Sequence, residues 1–182
     1  MTQQAVRISV LASTTADLTV GDWIARRAGR LGEVDVDLID LATARLPDRR
    51  AATLPEGGVQ PAAVHDLVPW LTEADGFVAV LPGSVTGVPE QIRNALDWCT
   101  SAWAGKPVAL VTNGPAPQHT AVPRDVHSAF QNRQATVISS VDAHTEPKGR
   151  GEHRLSDQNS TADRLLAELV AAARRARNVS AF

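Results

Sequence analysis

Strand-like and helix-like segments alternate along the chain, and this alternation restricts the possible folds more than any other feature. Five short segments are predicted strands, at residues 6–12, 34–41, 76–80, 106–112 and 134–141. Residues 76–80 are an apolar run with a β-branched core, whereas residues 6–12 and 34–41 alternate apolar with polar side chains. Apolar residues recur at helical spacing between and after the strands, at residues 18–28, 62–74, 90–103, 122–133 and 161–178. Such alternation produces right-handed βαβ units with parallel strands. We therefore predict a three-layer α/β/α fold with a doubly wound, five-stranded parallel sheet in the order 2-1-3-4-5.

Composition limits the classes of protein to consider. The 182 residues suffice for one core, and we predict a single domain over residues 1–182. The net charge of −2 gives no electrostatic basis for binding nucleic acid or an anionic membrane. No segment approaches the ~20 apolar residues that span a bilayer, and the first residues do not resemble a signal peptide, so we expect a cytoplasmic protein. Cys99 is the only cysteine, which excludes an internal disulfide, and the histidine spacing suggests no metal site.

In a sheet of this order, ligands bind at the switch point between strands 1 and 3. Three loops converge there. They are named after the strands that they follow: the first loop is residues 12–19, the third loop is residues 82–89 and the fourth loop is residues 112–119. The first loop leads into a helix start, where unpaired N–H groups and the helix dipole favour a phosphate. Its hydroxyl groups belong to Ser13, Thr14, Thr15 and Thr19. The same residues would also cap the helix whatever the ligand, so a phosphate cradle and a plain helix cap both remain open.

The third loop and the helix after it, residues 82–98, resemble the flavin loop of the NAD(P)H-dependent FMN reductases, a branch of the flavodoxin-like fold. The positions that match this family's pattern are Pro82, Pro89, Ile92, Arg93, Asn94, Ala95, Leu96, Asp97 and Trp98. Gly83, Ser84, Val85 and Gly87 stand where Glu, Tyr, Asn and Ser are usual. In the first loop Ser13 keeps the family's serine, whereas Thr15 replaces its arginine. Segments 38–41, 46–47 and 104–108 extend the resemblance.

The resemblance implies FMN as cofactor and NADPH or NADH as hydride donor, with a flavin, a quinone or another small molecule as acceptor. The phosphate of FMN is expected at Ser13, Thr15 and Thr19. Its ring is expected against the third and fourth loops, at Pro82, Gly83, Ser84, Val85, Thr86, Asn113 and Gly114. His119 is the candidate substrate-binding residue. No catalytic side chain is expected, because the flavin carries the redox chemistry. We interpret Asn94 and Asp97 as a solvated or capping pair rather than as catalytic residues.

The family resemblance also implies a homodimer with the helix 90–103 in or near the interface. Trp98, Cys99, Ala102 and Trp103 form a large apolar group at one end of this helix. Such a group marks either an interface or ordinary core packing, and the sequence leaves both open.

A second hypothesis follows from the changed loop residues. The chain would then be a flavin-free member of the same fold, using the crevice for a non-redox step in a specialised pathway or as a binding protein. The visible spectrum of the purified protein distinguishes the two hypotheses, because only a flavoprotein shows the absorption bands of oxidised flavin.

Overall fold

The computed structural model describes residues 4–49, 60–84, 86–114, 122–144, 155 and 158–180. They form a five-stranded sheet in the order β2-β1-β3-β4-β5, in which every neighbouring pair is parallel. The strands are β1 (Val6–Ala12), β2 (Val34–Asp40), β3 (Gly76–Pro82), β4 (Pro107–Gly114) and β5 (Thr136–His144). The predicted flavodoxin-like topology is therefore confirmed.

Six α-helices occur in the described residues: α1 (Leu18–Ala28), α2 (Leu41–Ala44), α3 (Ala62–Glu73), α4 (Glu90–Trp98), α5 (Arg124–Gln131) and α6 (Asn159–Ser180). Short 3₁₀ helices at Thr15–Asp17 and Thr100–Trp103 precede α1 and follow α4. Residues 90–103 are thus two helical segments rather than the single helix predicted. Within α3, Pro69 lies inside the helix without ending it.

Two other boundaries differ from the prediction. The sequence analysis did not foresee α2, which begins because the Asp40 carboxylate accepts hydrogen bonds from the N–H groups of Ala42 at 2.9 Å and Thr43 at 3.3 Å. Strand β5 begins later than residue 134, because Gln134 has a left-handed backbone with φ of 60°. It also continues to His144, beyond the predicted end at residue 141.

Two apolar layers enclose the sheet. Helices α1 and α6 cover one face, with a core that includes Ile8, Val10, Val20, Ile24, Val78, Leu165 and Leu169. Helices α3, α4 and α5 cover the other, with a core that includes Leu11, Leu71, Phe77, Leu81, Ile92, Trp103, Leu110 and Phe130. Strands β1, β3 and β4 are buried on both faces, as parallel strands between two helical layers must be. Among the helices of the described residues, none combines the length and apolar character needed to cross a membrane.

The apolar group at the end of α4 belongs to the core. Trp98, Cys99, Ala102 and Trp103 are between 0% and 8% exposed within a single chain. Of the two interpretations left open above, ordinary core packing is therefore correct, and this group provides no exposed surface for a dimer. Burial also raises the pKa of the Cys99 thiol to about 11, so Cys99 stays protonated and unreactive near neutral pH.

Candidate functional site

The carboxyl ends of β1, β3 and β4 meet at one edge of the sheet. In the register of the sheet Ala12 lies beside Val80, and Pro82 lies beside Asn113. Hydrogen bonds extend these pairings past the strand ends. The Ser13 N–H donates to the Val80 carbonyl at 3.1 Å. The first, third and fourth loops thus begin side by side, at the switch point where the crevice is predicted.

The first loop is organised around the carboxylate of Asp17. Its Oδ2 accepts hydrogen bonds from the Ser13 hydroxyl at 2.9 Å, the Thr14 hydroxyl at 2.7 Å and the Thr14 N–H at 3.0 Å. Asp17 is 1% exposed and Ser13 is 0% exposed. The Thr14–Asp17 pair forms a capping box at the 3₁₀ helix that leads into α1. This buried carboxylate also complements the positive end of the α1 dipole.

Strand β4 supplies a further donor to the same carboxylate. The side-chain amide of Asn113 donates to Asp17 Oδ1 at 3.0 Å and to the Ala16 carbonyl at 3.1 Å. Both carboxylate oxygens of Asp17 therefore have partners, and Asn113 ties the end of β4 to the first loop. Asp17 was not among the predicted site residues. The spacing Thr14-x-x-Asp17 was the available signal, since it is the pattern of a capping box.

The third and fourth loops touch backbone to backbone. The Gly83 N–H donates to the Asn113 carbonyl at 2.6 Å. A Cβ atom added at Gly83 would lie 2.8 Å from Gly114 Cα and 2.9 Å from the Asn113 carbonyl oxygen. Only glycine permits this approach, because Cβ atoms essentially never come so close to other backbone atoms. The two glycines therefore fix the width of the crevice where β3 and β4 end.

The predicted site residues divide into three groups. The structure brings Ser13, Pro82, Gly83, Asn113 and Gly114 together at this edge. Thr15, Thr19, Ser84 and Thr86 are exposed, and Thr19 lines a cleft along α1 with Asp22, Trp23 and Arg26. Val85 and His119 lie outside the described residues.

The residues that match the family pattern in α4 have structural roles. The buried Asn94 amide donates to the Leu46 carbonyl at 3.2 Å, and the Trp98 indole donates to the Pro47 carbonyl at 2.7 Å. Asp97 accepts a hydrogen bond from Arg133. These contacts fasten α4 to the chain after α2 and to the end of α5. Asn94 is 4% exposed, so it is not solvated as predicted, and both Asn94 and Asp97 bind partners within the chain.

The sheet order defines a doubly wound α/β protein, a class in which ligands bind at the switch point, here between β1 and β3. The sequence model of the family described as NADPH-dependent FMN reductase matches residues 7–146. The chain belongs to this family of oxidoreductases, whose cofactors are FMN and NAD(P)H.

Individual relatives agree with this assignment. The chain is 30% identical over 99 residues to an NAD(P)H-dependent FMN reductase of Schizosaccharomyces pombe, a match that covers 53% of this chain and 50% of that protein. The chain thus spans about half the length of this curated relative. Among solved structures, an oxidoreductase of Corynebacterium diphtheriae superimposes with a TM-score of 0.67 at 18% identity, covering 95% of this chain and 99% of that one. An NADH:FMN oxidoreductase in its apo form superimposes with a TM-score of 0.65 at 16% identity, covering 91% of this chain and 90% of that one. At such identities the two structures show the fold alone.

The two ends of the crevice differ in how well they suit FMN. At the ring end Gly83 packs against the end of β4, and the small side chain of Ser84 is exposed. At the phosphate end the Ser13 hydroxyl, the Thr14 donors and the Asn113 amide already serve Asp17. The sequence of residues 12–19 contains no Lys or Arg. The phosphate end in this arrangement does not fit a phosphate group.

Proposed function

We propose that the chain is a flavin-dependent oxidoreductase that uses NADPH or NADH to reduce a small acceptor such as a free flavin or a quinone. The observation that carries the proposal is the crevice at the β1–β3 switch point, which lies within the family match over residues 7–146. A bound flavin supplies the redox chemistry, while the protein binds and orients it. No acid–base pair is needed in the crevice.

Residue roles follow from position in the crevice. We assign the flavin ring to Pro82, Gly83, Ser84 and Thr86 with Asn113 and Gly114, and the ribityl end to Ser13, Thr15 and Thr19. Val85 and His119 keep their predicted roles in ring and substrate binding as proposals from the sequence. Ser84 and Thr86 are exposed, so a nicotinamide or an acceptor would approach the ring past them.

Flavin binding is the direct test of the proposed function. Added flavin is expected to bind with a shift of its visible absorption bands, and oxidation of NADH or NADPH is expected to depend on that flavin. Ser84→Trp should abolish both, because a bulky side chain at this loop position fills the crevice without disturbing the core. Ser160→Trp is the matched control, since Ser160 is exposed on α6 and should leave both unchanged.

The proposed function fails if the protein takes up no flavin at millimolar concentration and oxidises neither nucleotide. That outcome would favour the flavin-free alternative, in which the crevice serves a non-redox step or simple binding. A cytoplasmic location and the absence of a nucleic-acid partner stay predictions from the sequence.

We also propose that the chain is a homodimer. The support is the resemblance to FMN reductases, which are commonly dimers, and the surface involved is not the buried end of α4. Light scattering at micromolar concentration is expected to give twice the monomer mass of 19.3 kDa. A mass of 19.3 kDa across the micromolar range would reject the dimer.

A further inference from the structure

Asp17 lies in the first loop at the start of α1, where the family resemblance implies the phosphate of the flavin. Its carboxylate carries the same sign of charge as a phosphate. It takes up the same types of donor: two hydroxyls, one backbone N–H and one side-chain amide. The group is 1% exposed, so solvent screens its charge weakly. These four donors are thus bound by a carboxylate of the protein itself.

This arrangement removes the gain in binding affinity that the 5′-phosphate usually gives FMN. A phosphate that enters must take donors away from Asp17, which would leave a buried carboxylate without partners, a costly state. Alternatively it stays outside the donors and faces a like charge. A single hydrogen bond to a charged group corresponds to roughly a ten- to hundred-fold gain in affinity. In this loop that gain is cancelled.

We propose that Asp17 is a specificity-determining residue that makes the crevice accept flavins without regard to the 5′-phosphate, so that riboflavin binds as well as FMN. The proposal rests on the proposed function, because it concerns which flavin the same crevice takes. A free hydroxyl at the end of the ribityl chain is neutral and can donate a hydrogen bond, so it meets no repulsion from Asp17. The ligand class is therefore flavins with a neutral ribityl end as well as FMN.

The dissociation constants of riboflavin and FMN, measured by flavin fluorescence at one ionic strength, test the proposal. In the unmodified protein the two constants should agree within about threefold, since the phosphate contributes no net binding. Asp17→Asn removes the charge and keeps a side-chain oxygen that can accept from Ser13 and Thr14. Its amide nitrogen would face the Asn113 amide, which can turn its own oxygen toward it and accept. This variant should bind FMN at least about tenfold more tightly, whereas riboflavin should change by less than about threefold.

Asp22→Asn is the matched control. Asp22 lies on α1 five residues after Asp17, its side chain is 50% exposed, and it pairs with Arg26 at 2.5 Å. This variant makes the same change in net charge near the crevice, so a general electrostatic effect would appear in both variants. We expect its ratio of FMN to riboflavin affinity to match that of the unmodified protein.

Each outcome bears on the proposal. FMN binding more than about tenfold tighter than riboflavin in the unmodified protein overturns the inference and leaves the proposed function standing. An Asp17→Asn protein that folds, by circular dichroism, but gains no affinity for FMN also overturns it. Should that variant not fold, the ratio in the unmodified protein decides alone. Binding of neither flavin overturns the inference together with the proposed function.

Discussion

Replacing Trp103 with alanine is expected to lower the free energy of unfolding by about 3–5 kcal/mol. The Trp103 side chain is 0% exposed and packs between Phe77 and Phe130, with ring centroids 4.4 Å and 5.8 Å away. It therefore joins the end of α4 to β3 and α5, and its removal leaves a large cavity. Since whole domains are stable by only about 5–15 kcal/mol, this is a major share. Denaturation with urea, followed by circular dichroism, measures it.

Two further variants make the expectation specific. Trp103→Phe should cost less, about 1–2 kcal/mol, because it keeps much of the apolar contact and removes an indole N–H. This N–H has no hydrogen-bond partner among the described residues. Trp70→Ala is the exposed control, since Trp70 is 47% exposed and its ring lies under the Arg7 guanidinium, 5.4 Å from the ring centroid. It should cost about 1 kcal/mol or less.

The same measurement separates core packing from an interface. A residue in the core of one chain contributes equally at every protein concentration, whereas a dimer contact contributes more as concentration rises. The loss caused by Trp103→Ala should therefore not change between low and high micromolar protein. A loss that grows with concentration, or one no larger than that of Trp70→Ala, would contradict the core position.

The sequence was sufficient for the sheet topology because its signals are local. Strands β3 and β4 are nearly continuous apolar runs, β1 alternates before an apolar end, and the helices have apolar residues at regular spacing. The order 2-1-3-4-5 then follows from the short list of connections that right-handed βαβ units allow. Elements that depend on one side chain were missed, as with α2, where the Asp40 carboxylate caps a single helical turn.

The site was only partly predictable, because side-chain partners come from distant parts of the chain. The loops that converge were correctly chosen, since strand order determines which loops meet. The direction of the hydroxyl groups could not be predicted, because Ser13 and Thr14 turn inward to Asp17. The third partner of Asp17, Asn113, lies 96 residues away in sequence. Asn94 shows the same limit, as its partner, the Leu46 carbonyl, lies 48 residues away in sequence. Polarity alone does not distinguish a ligand-binding group from one satisfied internally.

Gly83→Ala is expected to separate the ends of β3 and β4 and to weaken flavin binding strongly. The added methyl group would overlap the Gly114 Cα and the Asn113 carbonyl, at 2.8 and 2.9 Å. Neither can rotate away as the end of a side chain can, so the two loops must move apart. Forced overpacking of this kind costs about 1–3 kcal/mol of stability. Because Asn113 also binds Asp17, the shift reaches the first loop, and all three sides of the crevice change.

Gly87→Ala in the same loop is the control for this prediction. Its added Cβ would meet only the end of the Asp125 side chain, at 3.1 Å, which can rotate, so stability should change by less than about 0.5 kcal/mol. Gly114→Ala presses on Gly83 Cα from the other side, at 3.1 Å. If both substitutions act through one separation of the loops, the double variant should lose clearly less than the sum of the single losses. Additive losses, or a Gly83→Ala protein that binds flavin unchanged, would show that this backbone contact does not set the width of the crevice.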